Sequence, residues 1–380
     1  THQEYDTTEI RLASKSEGKF NWIVGAFMTE NETAYDSQWH IPTINPDAAV
    51  PGSGDMYFQT DQVRHEEESA VFGELYIDLN DTTTVTLGHR KFDTETTLTG
   101  FVGTVWWPNY ILYSATRPDN VNSTYDGKDS VSKINVSHQV NNDVMIYGTV
   151  SEGYRPGGNN RTSQLGATYD ADFLTNYEFG FKTILMDGKV RLNGAAYMMK
   201  WDDIQLGWFD PDISLLGLVD NIGAAQSKGF EIDSKMIVSD KLTVTFSYAK
   251  NDAKLTEDYN LRGSLAAKKN QDLPFTPDRK YNFGMTRDLS DSSRIDFNYV
   301  YVDQMWNDLF YDNRVMQGAY SIGNLSFTKD LGDQASLQIY VDNVFDEIAE
   351  LFINVEDIQP LTTVNRPRTI GVKYSWKMNK

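Results

Sequence analysis

The sequence predicts an all-β chain, an antiparallel β-barrel that spans a membrane. About 15 strands of a roughly 22-stranded barrel lie within the 380 residues. Three observations predict this. The strands alternate apolar and polar residues with a period of two. Tight turns rich in Gly, Asn, Asp and Ser alternate with long connections from end to end. No stretch approaches the ~20 consecutive apolar residues of a membrane helix.

The last strand shows the alternation most clearly. Ile370, Val372, Tyr374, Trp376 and Met378 interleave with Thr369, Gly371, Lys373, Ser375 and Lys377. A period of two sends one set to each face, so this strand meets an apolar medium on one side and a wet one on the other. The edge of a final strand stays open unless it finds a partner, and barrel closure supplies one. An edge strand of a soluble sandwich would show the same alternation, so the rest of the chain decides.

The first strand is expected at about Thr7–Lys15. Short turns follow at Glu17-Gly18, Asn80-Asp81, Asn141-Asn142, Asp187-Gly188, Ser239-Asp240, Ser290 to Ser292 and Gly332-Asp333. Between them lie long connections, placed at Asn31–Arg64, Gly100–Lys128, Arg155–Ala171, Gln205–Gly223, Asp252–Pro277, Asn307–Gln317 and Glu347–Asn365. A transmembrane barrel sorts its loops in this way, short at the periplasmic end and long outside, whereas a soluble sandwich has no reason to. The strands between are amphipathic. Val71, Leu75, Ile77 and Leu79 oppose Glu74 and Asp78; Tyr177, Phe179, Phe181 and Leu185 oppose Asn176, Glu178 and Lys182; Leu242, Val244, Phe246 and Tyr248 oppose Thr243, Thr245, Ser247 and Ala249. Val144–Val150 and Ala195–Lys200 are apolar on both faces.

Composition agrees. The 8 Trp, 21 Tyr and 19 Phe suit aromatic girdles at two membrane interfaces. The mean hydropathy of −0.49 is compatible with a barrel, in which only alternate strand residues face lipid. With no Cys there is no disulfide framework, thiolate nucleophile or Cys-type zinc site. A net charge of −20 argues against a nucleic-acid partner, which needs a basic surface. The first strand runs into a short turn and the last ends at the same side. A barrel with both termini in the periplasm has an even strand number, so an odd number of strands is expected ahead of Thr1. The 15 strands here should therefore leave two open edges when taken alone.

The motifs, in this order, resemble the C-terminal part of the barrel of TonB-dependent outer-membrane receptors, over almost the whole chain. Glu9 to Ser14 with Trp22 to Phe27 is similar to a mid-barrel hairpin of that family. Tyr147-Gly148-Thr149-Val150-Ser151-Glu152-Gly153-Tyr154-Arg155-Pro156-Gly157-Gly158 resembles its Y-x-S-x-S-x-G-F-R-P-G-G stretch, and Tyr177-Glu178-Phe179-Gly180-Phe181-Lys182 its Y-E-x-G-x-K. Trp201 to Gln205, Asn221 to Ala225 with Gly229 to Ile232, Leu273-Pro274 with Thr276-Pro277, Asp342 to Asp346, and Arg366 to Thr369 with Gly371 continue the series. Two features depart from the family: Lys377 to Lys380 follow Trp376 where an aromatic usually ends the chain, and the N-terminal plug with its partner-binding box is absent from this sequence. The resemblance implies one domain over 1–380, a barrel fragment in the bacterial outer membrane. It implies uptake of a scarce nutrient, with a ferric siderophore the commonest class, driven by the TonB energy-transducing complex through the plug. Outer-membrane lipid would be a further partner. The alternative is a passive porin-like channel or a surface-binding barrel without a plug.

No catalytic signature, Walker loop or cofactor motif is present, so neither an enzyme nor a bound cofactor is expected. His2, His40, His65, His89 and His138 show no grouping. Ligand contacts are expected from aromatic and basic residues of the long connections: Trp39, His40, Trp106, Trp107, Tyr110, Arg155, Trp208, Phe209, Trp306 and Phe310. Girdle or loop packing is the competing reading for each aromatic. Glu178 and Lys182 fall on the lumen side, where contact with the plug is expected. Gly153–Gly158 reads as loop punctuation before an anion-cradling nest, and Asp202, Asp203, Asp210 and Asp212 as a solvated acidic loop before a Ca²⁺ site. No metal site is assigned.

Overall fold

The computed structural model describes residues 1–15, 17–45, 54–104, 119–162, 167–208, 216–261, 264–310, 314–355 and 361–377. Its main element is a 15-stranded antiparallel sheet in which each strand pairs with the next along the chain. The strands are β1 His2–Ala13, β2 Phe20–His40, β3 Met56–Asn80, β4 Thr83–Thr104, β5 Val121–Asn141, β6 Val144–Arg155, β7 Asp172–Leu185, β8 Val190–Asp202, β9 Ala225–Ser239, β10 Leu242–Leu255, β11 Arg279–Ser290, β12 Ser293–Val302, β13 Tyr320–Asp330, β14 Ala335–Asp342 and β15 Thr369–Trp376. The expected strand number and turn positions hold. Among the described residues β1 pairs only with β2 and β15 only with β14, so each outermost strand shows one open edge.

The two asparagine turns share one device. Asn80 Oδ1 accepts from the Thr82 amide at 2.9 Å and Asn141 Oδ1 from the Asp143 amide at 2.9 Å. Each side chain captures a backbone N–H two residues on, which the reversal would otherwise leave unpaired. Between β7 and β8, Met186, Asp187 and Gly188 all take positive φ (54°, 54° and 84°).

The register sorts side chains onto two faces. Val244, Met285, Phe297, Leu325, Val341 and Ile370 form one unbroken cross-strand row from β10 to β15. On the opposite face of the same strands, Thr245, Gly284, Asn298 and Asn324 form a polar row. The apolar face continues through Ile10, Val24, Val71, Leu87, Ile134 and Phe179, all exposed in the chain alone. A contiguous apolar surface of this breadth is far beyond what a water-soluble surface carries, and lipid covers it in a membrane barrel. The apolar band also slides along the strands. The row Leu87–Ile134–Val150–Tyr177–Met198 turns polar at Lys228. Tilted, staggered strands produce this drift.

On the polar face, tyrosines lie across glycines of the neighbouring strand: Tyr147 on Gly180, Tyr197 on Gly229 and Tyr340 on Gly371. Each ring occupies the space a Cβ would take, which explains glycine within a strand.

β2 to β5 are much longer than a membrane requires. They span 21, 25, 22 and 21 residues, against about 9–11 for a tilted spanning strand. Two expected connections are correspondingly shorter. Asn31–His40 and Met56–Arg64 belong to β2 and β3, paired through Trp39↔Phe58, and β4 and β5 shorten the next one to 105–120. Short of the apolar residues at their far ends, these extensions are largely polar on both faces, so the ladder continues where the hydropathy alternation stops. On their outer face Asp6, Glu30, Glu67, Glu95 and Asp126 stand directly opposite one another, one per strand from β1 to β5.

Two apolar cores lie at the long-loop end. One joins Ile204, Ile222, Leu255, Tyr259, Leu273 and Leu309, with Trp201 and Phe310 packed against it. The other joins Phe58, Leu98, Val102 and Val121, with Trp39, Tyr57 and Leu216 at its margin. Short hairpins such as Gln205–Trp208 with Leu218–Asn221, and Tyr259–Leu261 with Ser264–Ala267, build the connections over these cores.

Candidate functional site

The long-loop end of the polar face is where a ligand entering from outside would arrive. A hydrogen-bonded latch joins two connections there. Asp172, at the foot of β7, is only 1% exposed. Arg155, at the top of β6, donates from Nε to both of its carboxylate oxygens (3.1 and 2.9 Å) and from Nη2 to Oδ2. The Gln205 amide donates to Asp172 Oδ2 at 2.9 Å, and Arg155 Nη2 donates to the Gln205 carbonyl at 2.8 Å. The guanidinium also lies 4.8 Å over the Trp201 ring. Arg155 is thus held by Asp172, the Gln205 carbonyl and the Trp201 ring, while about half of its side chain stays open to solvent (47%).

The latch extends along both connections. Asn160 pairs with the backbone of Val219 like a strand residue, donating from Nδ2 to its carbonyl and accepting from its amide, both at 2.8 Å. Asn221 accepts from the Asp170 amide at 2.8 Å and donates to the Asp170 and Asp203 carbonyls at 3.0 and 2.7 Å. Next to it, the Tyr259 hydroxyl donates to Asp220 Oδ2 at 2.6 Å; burial first, then this bond, raises the tyrosine above its ordinary value. Gly157 sits where a Cβ would meet the Tyr125 ring and the Tyr169 carbonyl. Close packing accounts for this glycine.

The other expected ligand residues are distributed as follows. Trp39 stacks on Phe58, with ring centroids 4.5 Å apart, and donates from Nε1 to Ser37 Oγ at 3.0 Å. His40 is exposed, and its Nδ1 lies 2.7 Å from Asp55 Oδ1. Trp306 lies under the Arg314 guanidinium, 4.2 Å from the ring centroid. Phe310 packs against Tyr259, and the neighbouring Asp308 carboxyl is raised by burial. The Trp208 backbone pairs with Leu218 in a short hairpin. Trp106, Trp107, Tyr110 and Phe209 lie outside the described residues, as do Asp210 and Asp212.

Lower on the polar face, Glu178 accepts from the Tyr147 hydroxyl at 2.6 Å, and Lys182 Nζ stands 5.8 Å from the same ring. A second cluster was not legible beforehand. Arg90 pairs with Glu68 beneath Phe27 (5.0 Å from the ring), and Tyr154 donates to Glu68 at 2.8 Å while stacking on Phe92 at 3.6 Å. Tyr154 reaches across because β6 pairs with β5 only as far as Ser151. Its partner lies 86 residues away in the chain, and no local pattern announces it.

The family model described as TonB dependent receptor-like, beta-barrel matches residues 1–344. The chain belongs to the TonB-dependent receptor family. The pesticin receptor of Yersinia pestis is 21% identical over 381 aligned residues, covering 97% of this chain and 50% of that protein. The metal-pseudopaline receptor CntO of Pseudomonas aeruginosa is 28% identical over 157 residues, 40% of this chain and 21% of that one. Among solved structures, the ferric yersiniabactin uptake receptor FyuA from Yersinia pestis aligns with a TM-score of 0.79 at 18% identity, covering 98% of this chain and 54% of that one. The ferric-catecholate import receptor Fiu from E. coli K12, in its closed form, aligns at 0.75 and 13% over 98% and 54%. The chain thus spans half or less of the curated relatives it matches. These relatives are receptors, not enzymes.

Proposed function

We propose that this chain is the C-terminal part of the barrel wall of an outer-membrane receptor that imports a ferric siderophore. A plug from an upstream part of the protein fills the polar lumen and couples it to the TonB complex. Strands from the same upstream part close the gap between β1 and β15. The carrying observation is the two-faced 15-stranded sheet, apolar without and polar within, with its long connections gathered at one end. Family membership and the receptor names among the relatives support the cargo class. Glu178, Lys182 and the Arg90–Glu68 pair then face the plug. Trp39, His40, Trp306 and Phe310 shape the mouth, with Arg155 as its brace and Trp106, Trp107, Tyr110, Trp208 and Phe209 as further ligand contacts.

The test is growth. The full-length receptor, produced in a strain without siderophore receptors of its own, should restore growth on a ferric siderophore under iron limitation. The rescue should vanish when the TonB complex is deleted. Equal rescue without that complex would favour the passive channel.

A further inference from the structure

The polar face carries a second group of cations that the latch does not use. Arg64 projects from the upper part of β3, and Arg161 reaches it from the connection after β6. Both lie against Tyr35 of β2, their guanidinium carbons 5.7 and 4.0 Å from the ring centroid. Arg161 donates to Gln62 Oε1 at 2.9 Å and Thr60 Oγ1 at 3.3 Å, both neutral. Among the described residues no carboxylate pairs with it. Arg64 donates from Nη2 to the Asn159 carbonyl at 2.8 Å, and its nearest carboxylate, Glu66, stands at the 4.0 Å limit of an ion pair. Among the described residues, one distant carboxylate thus stands beside Arg64 and none beside Arg161, in a chain with 54 acidic side chains against 34 basic ones.

Burial makes this imbalance costly. The Arg64 side chain is 17% exposed. Gln62 and Asn159 are each 1% exposed. Gln62 Nε2, Arg64 Nε and Asn159 Oδ1 are buried without a hydrogen-bond partner. Buried donors without partners ask for an acceptor, and here two of the three unmet atoms are donors beside a surplus positive charge. Burial first, and the nearby Arg64 charge after the Tyr35 contribution, act on the Arg161 guanidinium, whose value is lowered overall. An added anion would offset the repulsion from Arg64 and compensate part of the burial cost by direct attraction.

We infer that Arg64 and Arg161, with Gln62, form an oxyanion site that receives a carboxylate of the metal chelate the receptor imports. Planar guanidinium groups match a carboxylate in two-point contact, and the Tyr35 face holds them in place. The site lies on the lumen side of the tall β2–β5 wall, on the route inward from the loop end. This inference rests on the uptake reading above, in that the oxyanion is carried by the imported chelate.

The test uses the purified full-length receptor and ferric citrate as the carboxylate probe, followed by calorimetric titration. Wild type should bind saturably, and more weakly as salt rises. Arg161→Gln and Arg64→Gln should each weaken binding roughly tenfold or more, the loss of a charge-assisted contact. Arg161→Lys, which keeps the charge and loses the planar fork, should fall between, and Lys128→Gln on the outer face should change nothing. The site is overturned if wild type shows no saturable binding, as when an upstream carboxylate already fills it. It is overturned also if both glutamine variants bind as wild type does. Uptake separates the two readings. TonB-dependent import that ignores both arginine substitutions removes the site and keeps the function. Arginine-dependent binding without energised import of any ferric chelate removes the function and keeps the site.

Discussion

Replacing Asp172 by Ala should free the two connections that Asp172 ties together. The carboxylate is 1% exposed and accepts from three donors: Arg155 Nε, Arg155 Nη2 and the Gln205 amide. The Arg155 side chain is 47% exposed, so its charge can return to water, and the ion pair deserves only a small share of the cost. The larger share is the Gln205 amide, left without its acceptor, together with the lost charge-assisted bonds, about 2–3 kcal/mol in all. That energy corresponds to roughly 30- to 150-fold more frequent local opening. Amide hydrogen exchange on the full-length receptor should show the rise at 156–162, 167–172 and 203–208, with the spanning part of β10 unchanged. Asp172→Asn should show a smaller rise, because one acceptor oxygen remains. Unaltered exchange in these segments would refute the latch, and a uniform rise over the sheet would mean that Asp172 supports the barrel itself.

Three further outcomes follow from the geometry. Gly229→Ala would drive a Cβ into the Lys250 carbonyl oxygen and the Tyr197 hydroxyl, costing about 1–3 kcal/mol, whereas at Gly371 the obstruction is only the Tyr340 ring; heat-modifiable migration on gels should show Tyr340→Ala rescuing Gly371→Ala, with no comparable rescue of Gly229→Ala by Tyr197→Ala. Tyr259→Phe should cost the loop end ~1 kcal/mol through the lost bond to Asp220. The tyrosine is raised in the folded state, so its contribution is complete below its ordinary value of 10.0 and is lost as pH climbs through the raised value; exchange near 256–261 should accelerate above pH 10 in wild type and less so in the variant. Glu67→Lys should raise the melting temperature at low salt, by turning two repulsions with Glu30 and Glu95 into attractions, and the gain should fade at ~1 M salt.

The spanning part of this fold was open to a reader of the sequence because one physical demand governs it. Lipid on one side and a wet lumen on the other force a period of two, and Leu242–Tyr248 or Ile370–Trp376 display it without help from distant residues. The turns were equally legible, since Asn80 and Asn141 act on amides two residues away. The strand ends were not. From Asn31 to Gln38 polar residues fall on both faces, so hydropathy does not alternate although pairing continues to His40. The ligand end was least legible. Arg161 sits in an Asn-rich loop and finds Gln62 and Thr60 from 99 and 101 residues away. Arg155 reads as a ligand contact, and nothing in the sequence marks Asp172 as its partner. Only the pairing of β6 with β7 brings those two together.

The most direct test of the account is the environment of successive residues along β10 in the native membrane. These 380 residues hold no cysteine, so once any cysteine of the rest of the protein is replaced, single spin labels can be placed through Leu242–Ala249 of the full-length receptor in outer membranes. Collision with oxygen, which concentrates in lipid, should be high at 242, 244, 246 and 248 and low at 243, 245, 247 and 249. A profile without that period of two, or with its phase reversed, would contradict a sheet whose apolar face meets lipid and whose polar face lines the lumen.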